Sequence, residues 1–371
     1  MRAIGPFRIV PRPDPPATVV VGVTLLAILG AFAVGALIFW GYGVHPLHAY
    51  SVVLSGTLGD WRGVAQVLRR ATPLLLVGVG LVLAFRARFW NIGAEGQLLA
   101  GAVGAAGVAL FAPIPAPWML PAMAVAAAAA GVLWGMLPTV LRGRLGVNEV
   151  ITTLMMNYIA IYVVEWLIHG PWKGKAVWGF PYSDTFPRSA WLPWLPGTQV
   201  HWPTLVIGLA LAVAGEFLLR RTRLGHEVRV LGENVRAARY AGIDVMRTIS
   251  VVMALSASAA ALAGFGEVAG IHRRLLGPTQ ISLGYGYTGI IVALLARGSP
   301  LGAILASLFM GLIFASGDVM KVALRMPFQA VNVFNGLILF FVVGCEPLMR
   351  YQIRWAREVA PWPERTGSSA R

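Results

Sequence analysis

The chain has 371 residues, of which 57% are hydrophobic and 12% charged, with a formal net charge of +15. Soluble domains carry about 25% charged residues, and the mean hydropathy here is +0.72, so composition excludes a soluble globular fold and points to the bilayer. The arginines sit at the ends of apolar runs, where the positive-inside rule puts them, so the basic balance reads as orientation and lipid contact, not nucleic-acid binding.

In chain order, residues 1–16 form a basic, proline-rich segment with Arg2, Arg8 and Arg12. The apolar run 17–40 exceeds a signal-peptide core and no small-residue cleavage site follows it, so it reads as a retained span. Nine more apolar runs follow, at 66–84, 92–112, 118–140, 149–168, 203–219, 248–270, 284–296, 301–317 and 329–349. Most approach the roughly 20 residues that cross a hydrocarbon core; the eighth is short and glycine-rich. The basic residues divide about two to one in favour of an N-in, C-in arrangement. The fold expected is an all-α polytopic membrane protein of about ten helices, in the cell (inner) membrane. A transmembrane domain covers 17–349 and a basic cytoplasmic tail covers 350–371. The blocks 65–169 and 248–350 have similar span patterns and enter the membrane from opposite sides, the arrangement of an inverted repeat.

Two loops stand out. The outer loop 170–201 holds Trp172, Trp178, Trp191 and Trp194 among prolines. It reads equally as an interfacial anchoring cap or as a docking surface. The cytoplasmic loop 220–247 is polar and carries seven arginines. Within it, Asn234 is placed to cap a short helix through Tyr240, and Gly242 to end that helix in a left-handed turn.

Catalytic signals are weak. No GxxxxGK[ST] phosphate loop occurs, and the GxGxxG at 284–289 lacks a preceding strand, so its glycines read as helix-packing or helix-breaking positions. No His/Glu spacing suggests a metal site, and His45, His48, His169, His201, His226 and His272 fall in or beside loops, where solvation is expected. Glu95, Glu149, Glu165, Glu216 and Glu267 lie near span ends, which argues against a proton-coupled carrier. The polar residues inside spans are neutral: Thr152, Thr153, Asn157 and Tyr158 in the fifth, Tyr285, Tyr287 and Thr288 near the eighth, and Gln329, Asn332 and Asn335 in the tenth. They serve either as interhelical hydrogen bonds or as the lining of a path for an uncharged polar solute. On the second reading the lining set is Thr153, Asn157, Tyr158, Tyr285, Thr288, Asn332 and Asn335. Asn148 is suited to N-cap the fifth span, with Glu149 at its positive end.

Three stretches resemble the membrane permeases of ABC importers, in the branch that takes up simple sugars, branched-chain amino acids and nucleosides. They are FWNIGAEGQLL at 89–99, GVNEVITTLMMNY at 146–158 and GENVRAARYAGI at 232–243. The first is most similar to the nucleoside-type members. The resemblance covers nearly the whole chain and implies a non-enzymatic transport subunit. It would work with cytoplasmic ATP-binding subunits, a second permease chain (identical or related) and an external solute-binding protein. ATP and Mg would be bound by the ATPase, with no cofactor in this chain. The third stretch would then be the coupling loop, with Gly232, Glu233, Asn234, Arg236, Ala237, Ala238, Arg239 and Gly242 facing the motor. The small Ala237 and Ala238 would allow close approach, and the arginines would pair with acidic groups. A self-sufficient ion-coupled carrier is the rival reading, and a lipid-acting membrane enzyme a third for which no acid, base or metal set assembles. Sugar, nucleoside and amino acid all remain open as solutes on physical grounds.

Overall fold

The computed structural model describes residues 3–4, 7–11, 16–175, 179–345 and 351–355. Seven described helices are long and apolar enough to cross a membrane: α3 (Trp61–Arg86), α4 (Ala94–Phe111), α5 (Ala116–Leu145), α6 (Glu149–His169), α7 (Trp202–Arg221), α10 (Val245–Gly266, prolonged to His272) and α13 (Gly302–Ala323). The stretch Leu29–Gly41 with Pro46–Leu58 passes the same criterion as a bent pair, which brings the number to eight. Helices α1 (Ala17–Gly41) and α14 (Phe328–Gly344) occupy the expected first and tenth apolar runs. The helix α2 (Pro46–Leu58) was not foreseen from the sequence. The eighth expected span differs most. Its part of the chain is a five-residue turn, α11 (Pro278–Ser282), followed by α12 (Tyr285–Leu295), an 11-residue helix. At 1.5 Å per residue such a helix covers only about 16 Å, half the hydrocarbon thickness.

The chain divides into two compact units, 1–52 with 320–371 and 53–319. In the first, α1 packs on α14, with Phe39 fully buried and its ring 5.4 Å from Phe334. Three short strands form a sheet in the order β1 (Ala3–Ile4), β2 (Phe7–Pro11), β3 (Tyr351–Trp355). All pairs are antiparallel, with Arg8 opposite Arg354 and Ile9 opposite Ile353. The segment leading into α1 is thus hydrogen-bonded to the one that follows α14.

In the second unit α3 is the most deeply buried span, and α10 lies against α3, α4 and α5. No hydrophobic gradient drives helices together inside lipid, so association rests on close packing. The residues supply it. A Cβ on Gly101 would overlap the Ala261 backbone, one on Gly264 the Leu98 carbonyl, and one on Gly131 the Ala261 side chain. Beyond Gly266 the helix α10 widens into a π-helical turn, Glu267–His272, ended by Arg273 in the left-handed region at φ +57°. Asn148 caps α6 as the sequence indicates, accepting from the Val150 amide at 2.9 Å. Asp60 also caps α3, accepting from the Gly63 amide at 2.7 Å, and Gly146 closes α5 at φ +66°.

The close approaches give a first test. Gly264→Val forces two backbones apart and is expected to lower the thermal midpoint of the detergent-solubilised protein by several degrees, an overpacking cost of about 1–3 kcal/mol. Gly22→Val, where a Cβ meets nothing within 4 Å, is expected to shift the same midpoint far less.

Candidate functional site

The break between α11 and α12 is the feature around which buried polar groups collect. Leu283 and Gly284 both take left-handed backbone, at φ +46° and +76°. A helix cannot continue through two such residues, so α12 begins inside the protein with its amide groups unpaired. The carboxylate of Glu95, in the first turn of α4, meets them: Gly286 N–H donates to its Oε2 at 2.8 Å. Ser282 and the Tyr287 amide also hydrogen-bond to Glu95. Gly286 is required here, since a Cβ would overlap the Glu95 backbone. The N-termini of α4 and α12 therefore abut, and the carboxylate lies where two positive helix ends meet.

Helix α6 secures the α4 side of this junction. Asn157 accepts from the Gly96 amide at 2.8 Å and donates to Ile92 O at 2.9 Å and Tyr287 Oη at 3.3 Å. Thr153 accepts from the Ile92 amide at 3.2 Å. Asn91 and Gln97 pair their side-chain amides at 3.0 and 3.1 Å, and Asn91 also donates to Ser256 Oγ at 3.2 Å. Of the neutral residues expected to line a path, Thr153 and Asn157 are thus fully buried interhelical bonds. Tyr285 is also buried, whereas Thr288 is half-buried and Tyr158 exposed. Asn332 is exposed on α14, in the other unit, and the side chain of Asn335 lies outside the described residues. The 284–289 glycines act as expected: Gly284 makes the break, and Gly286 and Gly289 pack against Glu95 and Val77.

A second cluster was missed by the sequence reading. Arg70 on α3 donates to Asp318 Oδ2 on α13 from Nε at 2.9 Å and from Nη2 at 2.5 Å, and to Tyr285 Oη at 2.9 Å. The π-helical turn places Glu267, only 3% exposed, 3.8 Å from His272 Nε2. Glu95 and Glu267 stand at the ends of α4 and α10, as the sequence indicates, and both are nevertheless buried. The signal available was Arg69–Arg70 inside an apolar run. His201 corrects the expectation of solvated histidines: it is 2% exposed, with Nδ1 bonded to Thr204 Oγ1. Burial, with the Arg69 charge adding to it, pushes its imidazole down to about 4.

Loop 170–201 folds onto the π-helical end of α10. Trp194 Nε1 donates to Gly270 O at 2.7 Å and Trp191 Nε1 to Phe186 O at 2.9 Å. The Arg273 guanidinium lies 4.0 Å from the Trp191 ring and 4.3 Å from the Trp194 ring. Trp172 packs on Phe111 with centroids 5.3 Å apart. These indoles serve the protein's own packing; Trp178 lies outside the described residues.

Loop 220–247 is more ordered than the sequence indicates. Thr222 caps an additional helix, α8 (Arg223–Glu233), and Gly232 sits where a Cβ would overlap the Arg86 carbonyl. Asn234 then caps α9 (Val235–Tyr240), accepting from the amides of Arg236 at 2.9 Å and Ala237 at 3.3 Å. Gly242 closes it at φ +75°, its N–H donating to Arg239 O at 3.0 Å. Ala238 does not face outward: it is fully buried in a core with Phe89, Leu219, Val228, Leu231, Val252 and Met253. The open face of α9 is instead Arg236, Ala237, Arg239 and Tyr240, the last 95% exposed. Glu233 is exposed at the end of α8. Among the described residues no group of His, Cys, Asp and Glu is arranged to hold a metal ion.

Residues 63–343 match the family model described as branched-chain amino acid transport system / permease component. A glucose ABC transporter permease of Haloferax volcanii is 36% identical over 92% of this chain and 92% of its own length. A guanosine ABC transporter permease of Bacillus subtilis is 33% identical over 87% of this chain and 92% of its own length. A nucleoside ABC transporter permease of Lactococcus lactis is 30% identical over 86% and 90%.

Two measurements probe these clusters. Arg70→Ala removes the hydrogen bonds to Asp318 and Tyr285; the Asp318 side chain is 38% exposed, so water screens part of the loss and the expected cost is about 1–3 kcal/mol. Arg70→Ala with Asp318→Ala is expected to cost less than the sum of the single changes. His201 stays neutral in the folded state down to about pH 4, while the unfolded chain binds the proton near pH 6.5. Stability therefore falls as pH drops through that window, and the thermal midpoint of His201→Gln is expected to fall less steeply between pH 6.5 and 4.

Proposed function

The chain belongs to the branched-chain amino acid transport system permease family, and we propose that it is the membrane-spanning subunit of a binding-protein-dependent ABC importer that carries a nucleoside or related small polar solute. The observation that carries this reading is α9: a short helix capped at both ends, rooted through Ala238 in the core of α3, α7, α8 and α10 and offering Arg236, Arg239 and Tyr240 to the outside. A helix so held cannot be pushed without moving the spans behind it. Its cationic, aromatic face suits an acidic cleft on a cytoplasmic ATPase, with Gly232, Glu233, Asn234, Ala237 and Gly242 shaping the approach. ATP and Mg are then bound and ATP hydrolysed by that partner, and this chain is not an enzyme. A second permease chain and an external solute-binding protein complete the assembly.

The N-in, C-in arrangement of ten spans, with α11 and α12 counted as one broken span, rests on the two-to-one division of the basic residues. The breaks before α4 and before α12 fall at corresponding places in the blocks 65–169 and 248–350. That agrees with an inverted repeat, whose discontinuous helices mark the solute path. Glucose, guanosine and nucleosides, the solutes in the names of the three relatives, are small and rich in hydroxyls. The neutral groups near the break (Tyr158, Tyr287 and Thr288) suit such a solute. An ion-coupled carrier stays as the second reading because Glu267 is buried.

Vesicles separate the two. With the ATPase and binding protein present, uptake is expected only with ATP; accumulation by this chain alone under an ion gradient would sink the importer reading. Within the assembled transporter, Tyr240→Ala with Arg236→Glu is expected to reduce uptake at least tenfold while leaving the thermal midpoint within a degree or two. Ala238→Arg is expected instead to unfold the α8–α9 core.

A further inference from the structure

Tyr158, Tyr162 and Trp166 recur at intervals of four, so they share one face of α6. They are 50%, 67% and 65% exposed. Helix α6 has 21 residues, and Tyr158 is the tenth, which places its Cα roughly 14 Å from the helix start, near the middle of a hydrocarbon core. Tryptophan near a span end is ordinary in a membrane protein. Tyrosine open at mid-depth is not, because a hydroxyl surrounded by hydrocarbon loses its hydrogen bonds to water without replacement.

The same place is where the broken helix surfaces. Tyr287, in the first turn of α12, is 38% exposed. Its hydroxyl accepts from Asn157 at 3.3 Å, and Tyr158 is among its electrostatic neighbours. Helix α11 packs on α6, and Leu283, at the break, is 41% exposed. The groups of higher hydrogen-bonding power nearby are already committed. Glu95 is held by the Gly286 amide, Asn157 by Ile92 and Gly96, and Thr153 by Ile92 and Glu149. What remains open is three tyrosine rings with their hydroxyls, set beside Ile151, Met155 and Ile159 of α6, which are 58%, 47% and 49% exposed; none of these groups carries a charge.

We infer that Tyr158, Tyr162 and Tyr287 form the solute-contacting wall of the path at mid-membrane, and that this wall takes neutral nucleosides by stacking the base on the tyrosine rings. The inference rests on the importer reading and adds the contact surface and the preference within it. A simple sugar is held by several side-chain carboxylates and amides directed at its hydroxyls, and here those groups are turned to the protein's own backbone. A base needs only a ring face, and stacking tolerates any base and releases it readily. Water lining such a wall also hydrates the tyrosine hydroxyls between passages.

The test uses the assembled transporter in vesicles, with guanosine and glucose as probes and Cys345→Ser as background. Tyr158→Ala and Tyr162→Ala are expected to slow guanosine uptake about tenfold, near the lower end of what base stacking supplies. Tyr158→Phe, which keeps the ring, is expected to lose less. Tyr158→Cys and Tyr162→Cys are expected to react with a charged, membrane-impermeant thiol reagent, and guanosine to slow that reaction. Three results overturn the proposal: no reaction at either cysteine, as on a lipid-facing surface; cross-linking between two copies without reaction; or alanine variants that transport at the unsubstituted rate. Uptake of glucose with none of guanosine overturns the nucleoside preference. Omitting ATP from the same vesicles tells a failure here from a failure of the importer reading: uptake that still needs ATP leaves that reading standing.

Discussion

One carboxylate sits where two helices begin. In a membrane interior no water is at hand for amides at an interrupted helix, so a chain that breaks a helix there must supply the acceptors itself. Glu95 supplies them for α12 from the first turn of α4, and Asn157 and Thr153 on α6 hold the start of α4 in place. The requirement propagates. Gly286 must lack a side chain so that the two helix starts can touch, and Gly284 must take a left-handed conformation so that α12 starts at this point. The NIGAEGQ stretch is thus one half of a junction, whose other half comes nearly 200 residues later in the chain.

The same economy of contact shapes the α8–α9 platform. Gly232 rests on the carbonyl of Arg86, whose guanidinium reaches Gly298 O at 2.8 Å. Glu227 accepts from Thr248 at 2.9 Å. The platform is therefore joined to the end of α3, to the link between α12 and α13, and to the start of α10. None of these ties is long or flexible. Displacement of α9 has little room to dissipate locally, which is the physical requirement for a part that transmits work.

Local features were legible in the sequence and distant ones were not. Asn234, Asn148, Gly242 and Gly284 act on backbone within a few residues of themselves, so residue type and position suffice to place them. The orientation of Ala238 was not accessible in that way: on a six-residue helix the apolar face is too short to show a period, and burial is decided by α3 and α10. Arg70 and Asp318 are separated by 248 positions, and nothing near either one announces the other. Glu267 and His201 looked peripheral because apolar runs were taken to end in solvent. In the structure, loop 170–201 covers that end and buries both. Helix α2 was passed over because its modest hydropathy and opening Pro46 resemble a loop.

The sandwiched guanidinium of Arg273 joins loop 170–201 to one end of α10, while Ile249, Val252 and Met253 near the other end share a core with Ala238. One helix therefore carries both attachments, and its unbroken hydrogen-bonded turns make the tryptophan-rich loop and the arginine-bearing platform two ends of a single stiff rod.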